Sequence, residues 1–227
     1  GLLEEMGIRQ VDEETSESTD GIAHYVKEGL SVGEDMFILC REHEFFQLIS
    51  DRTVVIRYDD VHVTSTNFMD IYGYDPTNDL MIRCFTGMNG TIVKGIRGLT
   101  IERLLAKIPG LKLSHYGYDE LLSYVRKKKI ESKSKIYDMI LGAHELVKRN
   151  ANLLNLKNTH LSNSALKEMN AALYSPFSSE ERNIDNLIKK FQSSKYVRFI
   201  DMNLNEFFDS FRRLSATEKE YMIFMNN

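Results

Sequence analysis

The chain has 227 residues, 42% of them hydrophobic and 27% charged, with a formal net charge of −4. Those fractions exclude a fibrous, collagen-like or wholly disordered chain and suffice for a buried core. Two cysteines, Cys40 and Cys84, are too few for a disulfide scaffold, and no apolar run is long enough to span a bilayer. An intracellular (cytoplasmic) or virion-associated protein with no membrane partner is the expectation.

The charge is uneven. Residues 1–20 hold seven acids (Glu4, Glu5, Asp12, Glu13, Glu14, Glu17, Asp20) against Arg9, a net of −6. The remainder therefore carries −4 − (−6) = +2. This predicts an acidic leader over 1–20 in front of a mildly basic body.

Ile22, Ala23, Tyr25, Val26 and Leu30 predict a short helix over 22–30, closed by Gly29 or Gly33. Met36 to Cys40 and the β-branched run Thr53 to Tyr58 read as strands. Val61 and Val63 alternate with His62 and Thr64, as in a half-buried strand, and Asp59-Asp60 supplies the turn before it. Leu80 to Phe85 and Thr91 to Ile96 read as a second strand pair joined through Gly87-Met88-Asn89-Gly90. The spacing thus predicts a small, mostly antiparallel sheet over 36–97.

From Leu99 the period becomes helical. Ile101, Leu104, Leu105 and Ile108 form one face that ends at Pro109-Gly110. Asp119 is placed to cap a helix carrying Leu121, Leu122 and Val125, and Ile136 to Val147 predicts one longer helix. Ser178 to Glu181 and Ser215 to Glu218 match capping boxes, with a weaker version at Asn203 and Glu206. Leu204, Phe207, Phe208, Phe211 and Leu214 give an aromatic face, and Tyr196 to Ile200 is the one strand candidate of this half. The class is α+β, a small N-terminal sheet followed by a largely helical part. The division reads as a leader (1–20), a β-rich subdomain (21–98) and a helical subdomain (99–227).

His62 and Thr64 lie two apart on a predicted strand and face one way, and His160-x-Ser162 repeats the pattern 98 residues later. The pairing resembles the two-histidine phosphoesterases. That resemblance implies that His62 and His160 pass protons as base and acid, and that Thr64 and Ser162 help hold a phosphate. The second motif departs from the pattern: Asn158 to Ser164 is polar and reads as a helix start, where those enzymes need a strand. Arg57-Tyr58-Asp59-Asp60 lacks the spacer of the polymerase-palm motif, so a turn explains it. Cys40 and His43 have a C-x2-H spacing, with Cys84 and His62 as further ligand candidates. The second tight pair of a structural zinc site is missing, so neither a metal nor a cofactor is expected.

Two basic features remain. Gly87, Gly90, Gly95 and Gly98 precede the helix that starts near Thr100, where Lys94 and Arg97 can meet an anion. Arg126, Lys127, Lys128, Lys129, Lys133 and Lys135 fall in a stretch (123–150) with eight bases and three acids. Four consecutive bases cannot share one helix face, so they belong at a helix end or connector. There they would neutralise nucleic-acid phosphates without reading sequence, with Tyr116, Tyr118 and Tyr124 as stacking surfaces.

With no complete catalytic constellation, the sequence predicts a non-enzymatic structural or interaction subunit of a larger assembly, of viral or phage type. Its partners would be proteins or further copies of itself, with a basic surface for RNA, DNA or an acidic partner. Two alternatives stand beside it. One is a phosphodiester- or nucleotide-processing enzyme using His62 and Thr64 with His160 and Ser162. The other is a nucleic-acid-binding module acting through residues 126–135.

Overall fold

The computed structural model describes Val11 and residues 16–88, 90–174, 184–193 and 208–209. It divides into two compact units. One runs from Ser16 to Leu161, and the other comprises residues 1–15 and 162–227.

The larger unit opens with α1 (Ser18–Ser31), which buries Ala23 and Val26 and stops at Gly33, φ +89°. A three-stranded sheet follows in the order β1 (Met36–Cys40), β2 (Thr53–Arg57), β3 (His62–Val63). β2 and β3 pair antiparallel through the Asp59-Asp60 turn, where Asp60 takes φ +60°. β1 and β2 pair in parallel over all five positions, Met36 opposite Thr53 through Cys40 opposite Arg57. The sheet is therefore α+β in setting but not mostly antiparallel. The link between β1 and β2 is a 3-10 turn, His43–Leu48, that buries Phe45 and Phe46 and carries the chain back to the start of β2.

The second expected strand pair does not form. After the short α2 (Phe68–Tyr72) and a 3-10 turn at Pro76–Asn78, residues Asp79–Thr86 are helical, α3. Apolar continuity from Leu80 to Ile82 looks like a strand, but Asp79 and Arg83 are one helical turn apart and pair at 2.7 Å. Tyr74 donates its hydroxyl to the other Asp79 oxygen at 2.6 Å, so this buried carboxylate has two strong partners only if the segment is helical. Thr91 to Ile96 is an irregular loop, held by a Gly87–Lys94 bridge and an Ile96 N–H to Phe85 O bond of 2.8 Å.

Helices then accumulate: α4 (Ile101–Lys107), α5 (Tyr118–Glu131), α6 (Lys135–Gly142) and α7 (His144–Leu154). Thr100 caps α4 through Arg103 N–H, and Pro109 ends it in a 3-10 turn. Gly117 takes the N-cap of α5, with Asp119 inside the first turn. The single helix expected over 136–147 is broken at Ala143, so that Ile140 and Val147 bury on successive helices. One core joins sheet and helices, with Val55, Val63, Phe68, Ile82, Phe85, Leu104, Leu121 and Ile140 almost fully buried.

In the smaller unit, α8 (Asn163–Tyr174) buries Ala165 and Met169, and α9 (Ile184–Ser193) buries Leu187 and Phe191. The Phe191 and Phe208 rings meet edge to face at 5.6 Å. The capping boxes at 178–181 and 215–218, the Asn203 and Glu206 pair, the strand at 196–200 and most of the aromatic face lie outside the described residues. No helix among the described residues is long and apolar enough to cross a membrane.

Candidate nucleic-acid interface and acidic edge

The loop between α3 and α4 is built to hold its shape. A Cβ at Gly95 would collide with the Thr86 carbonyl, and one at Gly87 with the Gly95 amide, so the two strands of the loop touch backbone to backbone. Asn150 on α7 is fully buried, and its Nδ2 donates to Cys84 O and Lys94 O, both at 2.9 Å. That one amide joins α7, the end of α3 and the loop. Asp79 and Arg83 anchor the base of α3. Burial raises the Asp79 carboxyl pKa, opposed by Arg83 and the Tyr74 hydroxyl. Burial also disfavours the Arg83 charge, but Asp79 outweighs it and the guanidinium titrates above its ordinary value.

On this frame the loop turns its cations outward. Lys94 and Arg97 are exposed, and Arg103 closes the loop by donating to Gly98 O at 2.8 Å. The longer basic run occupies the last turns of α5 and the link to α6, as four adjacent bases require. Lys128 pairs with Glu131 at 2.7 Å, and Lys129 with Asp138 at 2.5 Å. Among the described residues, Arg126, Lys127, Lys133 and Lys135 are exposed and carry no salt bridge. Tyr124 lies beneath the Lys128 ammonium at 5.9 Å, and Tyr116 meets Tyr124 edge to face at 6.5 Å.

A second feature was hidden in the sequence among ordinary surface acids. Glu42 and Glu44 follow the carboxyl end of β1, while Glu17 occupies the N-cap position of α1 without a side-chain capping bond and Asp20 sits in its first turn. Glu44 is half-buried and its pKa is raised, first by burial, then by the charges of Glu17 and Glu42, with Asp20 adding a little. Glu44 therefore feels three other carboxylates at the carboxyl edge of a parallel strand pair, where ligands collect in open α/β sheets. Asp20 also accepts the His160 backbone N–H at 3.1 Å. The missed signal is Glu42-x-Glu44 one residue after an all-apolar strand.

The remaining candidates fall elsewhere. His62 is exposed, with Asp60 at 3.6 Å. The Thr64 hydroxyl lies 2.9 Å from that of Thr66 and accepts the Asn67 N–H at 3.2 Å. Both residues thus serve the turn after β3. His160 belongs to the larger unit, one residue before its end, and Ser162 belongs to the other. There Ser162 Oγ accepts the Ala165 N–H at 3.1 Å, the helix start that the polar stretch predicted. Cys40 and Cys84 are buried thiols, their pKa values pushed by burial up to about 11 and about 12, which keeps them protonated and inert.

No protein-family model matches the sequence. Two curated relatives do: the thermostable DNA polymerase I of Thermus filiformis, 25% identical over 134 residues, and that of Thermus aquaticus, 25% identical over 130. These matches take in 58% and 56% of this chain but only 16% of each polymerase. Among solved structures, a mutant T5 5′-exonuclease superposes with a TM-score of 0.55 at 14% identity, covering 80% of this chain and 69% of that one. A bacteriophage T5 flap endonuclease in a pseudo-enzyme-product complex with DNA and metal ions gives 0.56 at 13%, covering 82% and 64%. T5 5′-exonuclease with bound zinc gives 0.56 at 14%, covering 82% and 62%. The chain thus has the 5′-exonuclease fold.

These likenesses correct the expectation of a non-enzymatic structural subunit of viral or phage type, because what the chain resembles is nucleases and polymerases. The physical reason for the error is specific. The paired motifs in the sequence are histidine and hydroxyl pairs, and Glu17 and Asp20 fall in its acidic leader, whereas only the fold brings those two acids near Glu42 and Glu44.

The metal ions of the T5 complexes raise the question whether the acids here suit such ions. An all-carboxylate set has the right hardness for a divalent cation. Yet among the described residues no three His, Cys, Asp or Glu side chains stand close enough to hold one. Among the described residues, the acidic edge therefore does not form a metal site.

Proposed function

We propose that this chain forms the DNA-holding part of a 5′-nuclease-type enzyme that acts on DNA phosphodiesters. The fold likeness to the T5 5′-exonuclease carries this reading, and the sequence match to DNA polymerase I supports it. Lys94, Arg97 and the free cations of the α5 end (Arg126, Lys127, Lys133, Lys135) neutralise backbone phosphates, while the rigid α3–α4 loop fixes where the first two sit. Such contacts position a duplex without reading its sequence. Glu17, Asp20, Glu42 and Glu44 form a separate acidic edge at the carboxyl end of β1. Their mutual repulsion keeps Glu44 ready to gain from an external positive charge.

The test is fluorescence anisotropy of the full chain with a labelled 5′-flap duplex between low and physiological salt. Affinity should fall steeply with salt, each phosphate contact contributing about −0.9 to the logarithmic slope. Lys94→Ala with Arg97→Ala should flatten that slope by about two contacts, and the K127A/K133A/K135A triple variant by about three. A salt-independent slope, or no binding at the lowest salt, overturns the proposal.

A further inference from the structure

A cleft of about 1090 Å³ within Ser16–Leu161 shares no lining residue with the basic loop or the acidic edge. α1 contributes Ala23, Val26, Lys27 and Leu30 to it, and α7 contributes His144, Val147, Lys148 and Ala151. Each set recurs at steps of three and four residues, so each is one helical face turned to the cleft. α3 adds Leu80 and Met81, both half-buried. Two amides fix the irregular parts of the lining. Gln47 donates to Leu154 O at 2.8 Å and accepts the Leu156 N–H at 3.0 Å. Asn78 donates to Ser114 O at 2.7 Å and accepts the Tyr116 N–H at 2.9 Å. Leu156 and Tyr116 are therefore held in the lining before anything binds, which lowers the cost of filling the cleft.

The charge around this apolar lining has one sign. Among the described residues the lining includes Lys27, Lys148 and Lys157, all exposed and without a salt bridge, and no aspartate or glutamate. In a chain of net charge −4 this is a local cationic excess that an acidic partner complements. We propose that the cleft receives an amphipathic α-helix of another protein, its apolar face seated against α1 and α7 and its flanking acids meeting the three lysines. Grooves walled by helical faces take a helix through side chains at i, i+3, i+4 and i+7. The volume favours that occupant over a compact small molecule, whose pockets run to about 300–1,000 Å³. No residue of the DNA-holding reading is used, so the two stand or fall separately.

Fluorescence anisotropy of the full chain with a labelled synthetic helix tests it. The probe peptide has leucine at i, i+3, i+4 and i+7 and glutamate at every other position, and a control peptide carries lysine in place of glutamate. The chain should bind the acidic peptide and not the basic one. Lys27→Glu with Lys148→Glu and Lys157→Glu should weaken the acidic peptide by about tenfold or more and admit the basic one. Circular dichroism should not change, since all three side chains are exposed. Gly117 also lines the cleft, a Cβ there meets open space and its φ of −71° suits any residue, so Gly117→Phe should obstruct the peptide without strain. Binding of neither peptide, or of both alike, would mean that the cleft takes no acidic helix. Loss of the acidic peptide in Lys94→Ala with Arg97→Ala, and not in the cleft variants, would move the contact to the basic loop. A long-chain fatty carboxylate that binds where the peptide does not would make the cleft a small-ligand site. A dimer in light scattering that the triple reversal dissolves would give the cleft to a second copy. Each of these four results overturns the proposal.

Discussion

The α3–α4 loop and the acidic edge of β1 differ in what opposes each charge. Around the loop, the buried polar side chains Asp79, Arg83 and Asn150 all have partners within the chain. Asp79 has Arg83 and Tyr74, and the Asn150 amide has two carbonyls. At the edge Glu44 is half-buried among other carboxylates, and Arg83 opposes them only weakly. One region spends its polar groups on a fixed shape, and the other holds carboxylates whose repulsion Arg83, among the described residues, only partly offsets. A surface that must present cations to a ligand gains from the first arrangement, because rigid placement lowers the entropy lost on binding. A site that must receive a cation or a protein segment is left with the second.

Breaking the loop's internal pairing should give the largest effect. Arg83→Met leaves Asp79 buried without its counter-charge, and removing one partner of a buried pair costs about 3–5 kcal/mol. Urea denaturation should show that loss, with the DNA affinity falling as α3 loosens. Gly95→Ala comes next. Its new methyl must displace the Thr86 backbone, and overpacking of this kind costs about 1–3 kcal/mol. Asn150→Leu keeps the volume but strands the Cys84 and Lys94 carbonyls, a loss of about 1–3 kcal/mol. Its clearest readout is faster amide exchange at Ile96 and Val93, the part of the loop that Asn150 holds. If these three variants leave the loop and DNA binding untouched, the contrast between the two regions fails.

The same contrast explains what could be read in advance. The β2–β3 hairpin was legible because alternation and a turn pair are local signals, and the α4 stop at Pro109 was legible for the same reason. α3 was not, because its helical state depends on Tyr74 and Arg83 meeting around Asp79, a tertiary arrangement that overrides an apolar run resembling a strand. The parallel register of β1 and β2 was hidden in the 3-10 return through Phe45 and Phe46. Lys94 and Arg97 stand out in the sequence beside the glycines at 87, 90, 95 and 98, although the segment between those glycines reads there as a strand and is a loop. Glu17 and Glu44 were not, since 27 positions separate them and only the fold makes them neighbours. The basic run at 126–129 was placed at a helix end by its spacing alone, yet which of its members are free depended on Glu131 and Asp138.

The acidic edge should respond to mutation in the opposite sense from the loop, and Glu44→Gln tests this with the smallest expected effect. The folded-state pKa of Glu44 lies above its ordinary value, so between the two values the folded protein holds more protons than the unfolded one. Stability then falls as pH rises through that window, by linkage. Above it the charged Glu44 is a standing penalty, in part screened by solvent because the side chain is only half-buried. Glu44→Gln removes both the charge and its titration. The variant should therefore melt slightly higher than the parent at pH 7 and show no difference near pH 4, where the parent carboxyl is largely protonated. A residue at the base of the loop treated alike, Asp79→Asn, should lose stability at both pH values, because it leaves the buried Arg83 guanidinium without its counter-charge. If Glu44→Gln also destabilises at pH 7, the acids at the end of β1 are held as firmly as those beneath the loop, and the edge is a structural feature rather than a receptive one.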